Sequence, residues 1–197
     1  MAASESGALH VVWEEEDKLY HAHRADGTWS TPANIPGTTT AQQATLGPGA
    51  GDGVHLVFVN QPDVFYTSWN GASWSLPLNV SQTTGNSDAP DLVVAADGSL
   101  HVVAVEGTSQ HLYYATGQDV WSYVPIPGAY GTSPSIDVTG AGPVELHIAY
   151  REFIPESTYE ISYISRDIDG SWASCPEILS NSPARFSTAP ELALDAS

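Results

Sequence analysis

Cysteine, basic residues and helical patterning are what this chain has least of. A single cysteine, Cys175, excludes an internal disulfide and leaves the redox compartment open. It follows Trp172-Ala173-Ser174 at a place where no other part of the chain has a cysteine, and a buried, inert thiol is expected there. Five Lys and Arg face 23 Asp and Glu, giving a formal charge of -18 over 197 residues. Such a surface repels phosphate backbones and anionic bilayers, so neither nucleic acid nor membrane is expected as a partner. No apolar run approaches a membrane span, and Met1 to Ser6 lacks the basic region and apolar core of a signal peptide. A soluble chain without a leader is expected, with its compartment unassigned. Helix is hard to place anywhere, and no motif implies a catalytic group, a cofactor or a metal.

What is present is a repeat. Leu9-His10-Val11-Val12-Trp13 returns as Val54-His55-Leu56-Val57-Phe58, Leu100-His101-Val102-Val103-Ala104 and Leu146-His147-Ile148-Ala149-Tyr150. The histidines fall 45, 46 and 46 residues apart, a period that signals a repeat architecture. Units of approximately 7-51, 52-96, 97-142 and 143-197 make one domain over residues 1-197. Each unit reads as short alternating strands joined by turns, in keeping with 17 Gly, 14 Pro, 6 Trp and 9 Tyr. Trp29, Trp74, Trp121 and Trp172 mark one position in all four units, which suits packing. Tyr20, Tyr66 and Tyr113 are aligned as a second series, broken by Ser162.

Segments such as Ala89-Pro90-Asp91-Leu92 and Ala189-Pro190-Glu191-Leu192 precede or follow each unit as linking strands. The fold expected is all-β, a β-propeller of four four-stranded antiparallel blades with the linking strands innermost. Ala189 to Leu194 is expected to close it by completing the first blade beside Leu9 to Trp13. Closure within one chain is favoured, and a homodimer forming an eight-bladed ring is the alternative.

The stretches Leu9 to Pro32 and Asp97 to Ser122 resemble the sialidase-like repeats of bacterial propellers, the BNR or Asp-box type. The box itself is matched loosely by Asp26-Gly27-Thr28-Trp29 and Asp169-Gly170-Ser171-Trp172, and its spacing is altered in the other two units. The resemblance implies a propeller whose relatives include glycosidases, lectins and scaffolds, so the fold alone does not choose among them. A sialidase also needs an arginine triad. Arg24, Arg151, Arg166 and Arg185 stand at non-equivalent places, and sialidase activity is not expected.

The four repeated histidines could suggest a metal. Their position on the second strand would instead hold them apart, each hydrogen-bonded to a neighbouring blade. His21 and His23, at i and i+2, share a face and are expected as a solvated pair. The better site candidates lie where the His-bearing strand ends and the units diverge. Glu15, Asn60, Glu106 and Glu152 would form a polar ring, with Trp13, Phe58, Tyr150 and Arg151 nearby, joined on the same face by Asn86, Tyr130 and Arg185. Carboxylates and amides beside aromatics suit a sugar, by hydrogen bonding and stacking. The expectation is a lectin-like protein binding a carbohydrate or small polar ligand without turnover. The alternatives are a glycoside hydrolase or lyase built on paired carboxylates, and a non-catalytic assembly scaffold.

Overall fold

A computed structural model describes residues 1–140, 144–154, 159–180 and 187–194. Alternation of apolar and polar residues between Gly-containing turns folds the chain into four antiparallel sheets. Sheet 1 contains β1 (Ala2–Ala3), β2 (Leu9–Glu15), β3 (Lys18–Ala25), β4 (Thr28–Trp29) and β5 (Ala33–Asn34), the last two both pairing with β3. Sheet 2 runs β6 (Ala41–Pro48), β7 (Val54–Asn60), β8 (Asp63–Trp69), β9 (Leu78–Asn79). Sheet 3 runs β10 (Ser87–Val94), β11 (Leu100–Glu106), β12 (His111–Gly117), β13 (Trp121–Tyr130). Sheet 4 runs β14 (Thr132–Thr139), β15 (Glu145–Phe153), β16 (Tyr159–Arg166), β17 (Glu177–Ile178).

The core lies between successive sheets. Leu19 and Ile35 of sheet 1 meet Leu56 and Phe58 of sheet 2. Val57, Val64 and Tyr66 of sheet 2 meet Leu100, Val102 and Ala104 of sheet 3. Val103, Leu112 and Tyr114 of sheet 3 meet Leu146, Ile148 and Tyr150 of sheet 4. Each fully buried Leu, Ile or Phe contributes about 1.5–3 kcal/mol, so these seams carry much of the stability. Trp74, Trp121 and Trp172 pack into the three seams, whereas Trp29, with no sheet before it, is 49% exposed.

The first strands β6, β10 and β14 are stitched to one another. Thr45 Oγ1 donates to the Pro90 carbonyl at 3.2 Å, and Asp91 Oδ2 accepts from the Ile136 amide at 3.0 Å. Burial pushes the Asp91 carboxyl above its ordinary value. Each of these strands carries a bulge near its start, with Gln43, Ala89 and Ser133 at φ of 52°, 47° and 51°. The bulge turns the first residues of the strand onto the face where the β11–β12 loop also emerges.

The closure expected from the sequence does not form as strand pairing. Ala2–Ala3 pairs with His10 and Leu9, taking the place beside β2 that was assigned to the C-terminal segment. Among the described residues Ala189 to Leu194 has no strand partner and instead lies along β14, its Leu192 amide donating to Ser135 Oγ at 3.1 Å and its Leu194 amide to Asp137 Oδ2 at 2.8 Å. That is the place of a first strand belonging to a following sheet.

Three smaller expectations also change. The repeated histidines bond within their own sheet: His55, His101 and His147 meet the hydroxyls of Tyr66, Tyr114 and Tyr163 at 2.7, 2.6 and 2.7 Å. The tyrosine series is therefore Tyr66, Tyr114 and Tyr163, with His21 in the fourth place, one residue off the expected alignment. A slip of one residue changes the face of a strand. Cys175 is exposed, because it sits in the turn before β17 outside every seam.

Candidate ligand face

The last residues of β2, β7 and β11 are three of the expected polar residues, and each is held by its own neighbourhood. Glu15 is exposed and accepts from Trp13 Nε1 at 3.2 Å. Asn60 accepts from Thr40 Oγ1 at 2.8 Å. Glu106 is buried, accepting from Thr83 Oγ1 at 2.8 Å, from the Tyr123 hydroxyl at 2.9 Å and from Ser87 Oγ. Burial and the Glu106 charge together push the Tyr123 phenol above its ordinary value, so it stays a donor. On β15, Glu152 accepts from Ser162 Oγ at 2.6 Å. None of these contacts joins one member of the expected ring to another.

The aromatic members divide in the same way. Tyr150 is wholly buried in the seam between sheets 3 and 4, its hydroxyl without a partner among the described residues and its ionisation suppressed by burial and by Glu152. Arg151 lies 3.7 Å over the Tyr159 ring as a cation–π pair. Trp13 stacks on Tyr20 with centroids 6.0 Å apart. Tyr130 is 47% exposed and stacks on His111 at 4.4 Å, while His111 Nε2 bonds the Ile126 carbonyl at 2.9 Å. Arg185 lies outside the described residues.

A cavity of about 750 Å³ opens at the ends of β10, β11 and β14, with Gln110 and Thr132 of its lining close in sequence to His111 and Tyr130. Its polar lining comes from Gln43, Asn86, Asp88, Thr108, Gln110 and Ser133, with Gly85 and Gly107 at its walls. The bulges deliver Gln43 and Ser133, and backbone bonds fix the rest: the Gly107 amide donates to the Asn86 carbonyl at 2.8 Å and the Gly131 amide to the Gln110 carbonyl at 2.7 Å. Gln43 Oε1 accepts the Ala89 amide at 2.7 Å, leaving its amide nitrogen for other work. The side chains of Asn86, Thr108 and Gln110 are exposed and uncommitted. Among the described residues no Lys or Arg lines the cavity. Of the sequence candidates, Asn86 lines it, Tyr130 precedes its rim and Glu106 stands under it. Gln43, Thr108 and Gln110 escaped the sequence reading because only the bulged backbone brings three loops together.

A second cavity, of about 770 Å³, is framed by the first strands and lined by residues including Thr45, Asp91, Ser135 and Glu191. Its polar groups are largely spent on stitching those strands.

A third cluster gathers His10, His21 and His23. His10 Nδ1 lies 3.0 Å from His21 Nε2, and the His21 and His23 rings stack at 5.7 Å. His10 and His21 are buried, and His21 packs against Trp69 and Trp74 while His23 packs against Trp69. The expected solvated pair is thus a packed triad, because His21 occupies the tyrosine position of the other sheets. Burial, and then the charges of His10 and His23, lower His21 to about 4. Among the described residues no group of three or more His, Cys, Asp or Glu could hold a metal.

No protein-family model matches the sequence, and no curated protein is similar to it at a significant level. Solved structures do match. A polysaccharide lyase of a new family, an ulvan lyase, superposes with a TM-score of 0.64 at 12% identity over 89% of this chain and 53% of its own. The six-bladed β-propeller lectin of Aleuria aurantia superposes with a TM-score of 0.57 at 12% identity over 90% and 63%. The intramolecular trans-sialidase from Ruminococcus gnavus gives 0.51 at 17% identity over 83% and 41%. The chain thus spans about half to two thirds of the first two proteins and less of the third. These likenesses make the fold β-propeller-like. No helix among the described residues is long and apolar enough to cross a membrane.

Proposed function

We propose that the chain is a carbohydrate-binding, lectin-like propeller that holds an uncharged sugar without turnover in the cavity between sheets 3 and 4. The observation that carries this reading is the 750 Å³ cavity itself, with amides and a hydroxyl at Asn86, Gln110 and Thr108 that are uncommitted among the described residues, and with Gln110 and Thr132 of its lining close in sequence to the stacked His111 and Tyr130. Sugar hydroxyls take paired donors and acceptors, and the apolar face of a pyranose takes an aromatic platform. Asp88 in the lining, the lack of a Lys or Arg there among the described residues and a net charge of -18 disfavour uronates and sialates. Lectin, lyase and sialidase neighbours agree with a saccharide ligand as a class.

A hydrolase or lyase needs two carboxylates facing one ligand at a defined separation. Glu106 and Glu152 are each engaged by hydroxyls of their own sheets, and the cavity lining carries one carboxylate, Asp88. Binding without chemistry is the reading these contacts support. A glycan array followed by calorimetry tests it. Neutral glycans are expected to bind with no new reducing ends formed, and Asn86→Ala with Gln110→Ala to weaken binding at least tenfold at an unchanged melting temperature. Unchanged affinity in that double variant would move the site elsewhere, and release of shorter saccharides would make the protein an enzyme.

A further inference from the structure

The repeated histidine belongs to a short chain of hydrogen bonds, and that chain fixes which ring nitrogen carries the proton. In sheet 3, Ser99 Oγ donates its only hydrogen to Asp97 Oδ1 at 2.6 Å. Ser99 Oγ therefore accepts from His101 Nε2 at 2.8 Å, and His101 Nδ1 accepts the Tyr114 hydroxyl at 2.6 Å. His147 of sheet 4 is held in the same way, with Nδ1 at 2.7 Å from the Tyr163 hydroxyl and Nε2 at 3.3 Å from Thr139 Oγ1. In both sheets each ring nitrogen has a partner.

Sheet 2 keeps one end of this chain and lacks the other. The Tyr66 hydroxyl lies 2.7 Å from His55 Nδ1, while His55 Nε2 has no partner among the described residues. Burial lowers His55 and raises Tyr66, so a protonated phenol donates to a neutral ring and Nε2 carries the hydrogen. By strand register and by the shared turn, in which the Ala95 amide meets the Ser99 carbonyl as the Gly49 amide meets that of Gly53, Gly53 stands in the place of Ser99 and Gly49 in that of Thr139. A Cβ on Gly53 would stand 2.8 Å from the Ala50 carbonyl oxygen and 2.9 Å from that of Trp69, so a capping side chain does not fit there. His55 lines instead a cavity of about 580 Å³ between sheets 2 and 3, at the opposite end of the strands from the candidate ligand face. Pro48, Ala50, Val94 and Ala95 give it apolar walls, and Asn70 adds a second donor, its Oδ1 being taken by the Ala72 and Ser73 amides. An apolar cavity with a few convergent polar groups is the usual form of a small-molecule site. The donor at Nε2 repels a cation, and Glu5 in the lining, with no Lys or Arg there among the described residues, repels an anion.

We infer that this cavity is a second ligand site, taking a neutral, ring-sized alcohol whose hydroxyl accepts from His55 Nε2 in the seat that Ser99 Oγ fills in sheet 3. The apolar side of the ligand lies against Val94 and Ala95. The site is independent of the sugar reading, since it shares no lining residue with the cavity between sheets 3 and 4.

The test is a titration of the chain with cyclohexanol, read by nitrogen–proton correlation NMR of the histidine rings. The His55 ring, assigned with His55→Gln, is expected to carry its hydrogen on Nε2 and to shift saturably, while His101, whose Nε2 is already capped, stays in place. Cyclohexylamine and cyclohexanecarboxylate, alike in shape but charged, are expected to bind at least tenfold more weakly. Ala96→Phe fills the cavity from an exposed position and should weaken cyclohexanol at least tenfold at an unchanged melting temperature. A hydrogen on Nδ1, a shift at His55 that does not saturate, an equal shift at His101, charged analogues that bind as well, or full affinity in Ala96→Phe would each overturn the inference. Sugar binding is read separately on neutral glycans, so failure of one site leaves the other standing.

Discussion

At the scale of single residues, two buried side chains separate packing from function. The Tyr150 hydroxyl lies in the seam with no partner among the described residues, and a buried unsatisfied hydroxyl costs about 1–3 kcal/mol. Tyr150→Phe is therefore expected to leave stability unchanged or raise it by about 1 kcal/mol in denaturant unfolding, with ligand binding intact. A clear loss of either would return Tyr150 to the site. His21 gives a pH signature. Its folded pKa, lowered by burial and by its two histidine neighbours to about 4, lies below the ordinary 6.5, so the unfolded chain binds the proton first. Stability is full above pH 6.5 and falls as the pH drops toward 4, by up to about 3 kcal/mol for this group alone. Burial lowers His10, His55 and His101 in the same sense. His21→Tyr, which restores the His–Tyr bond of the other sheets, should flatten that acid decline; an identical pH profile would mean the triad does not carry it.

At the scale of elements, the bulge and the glycine before it decide where the cavity opens. A Cβ on Gly131 would stand 2.7 Å from Tyr150 Cδ2 and against the Arg151 carbonyl, so the start of β14 approaches β15 closer than any side chain permits. Gly131→Ala is expected to cost about 2–4 kcal/mol and to weaken ligand binding, since the Gly131 amide holds the Gln110 carbonyl. Thermal unfolding and titration calorimetry read the two effects. A variant of parental stability would mean that β14 can shift without loss. The repeated positive φ at Gln43, Ala89 and Ser133 marks the same device in three sheets, and these three residues line one cavity.

At the scale of the whole molecule, charge acts against packing. A net charge of -18 over so few cations makes the folded chain repel itself and its copies. Salt shortens the reach of that repulsion from about 10 Å at 0.1 M to about 3 Å at 1 M, so the melting temperature should rise by several degrees over that range. Differential scanning calorimetry is the measurement. A flat or falling trend would mean that mutual repulsion of the carboxylates contributes little to the stability of the fold.

The sequence determined the repeat, the strands within it and the four matching tryptophans, because a period near 46 and a two-residue alternation are local properties of the chain. It also singled out one end of each sheet as the candidate ligand face, since loops that diverge on a fixed frame stand out by their departure from the pattern. It set Tyr150 at the ligand face, where the structure buries it in a seam at the position of Phe58: whether an aromatic faces ligand or a neighbouring sheet depends on a contact between units that no local pattern records. Glu106 and Glu15 occupy the same register, yet one is buried under three hydroxyls and the other exposed. Only the tertiary structure decided that, together with the meeting of Gln43, Asn86, Gln110 and Ser133 around one cavity and the place of Ala189 to Leu194 along β14. Each depends on how far one sheet turns from the next, an angle set by the packing of the seams as a whole.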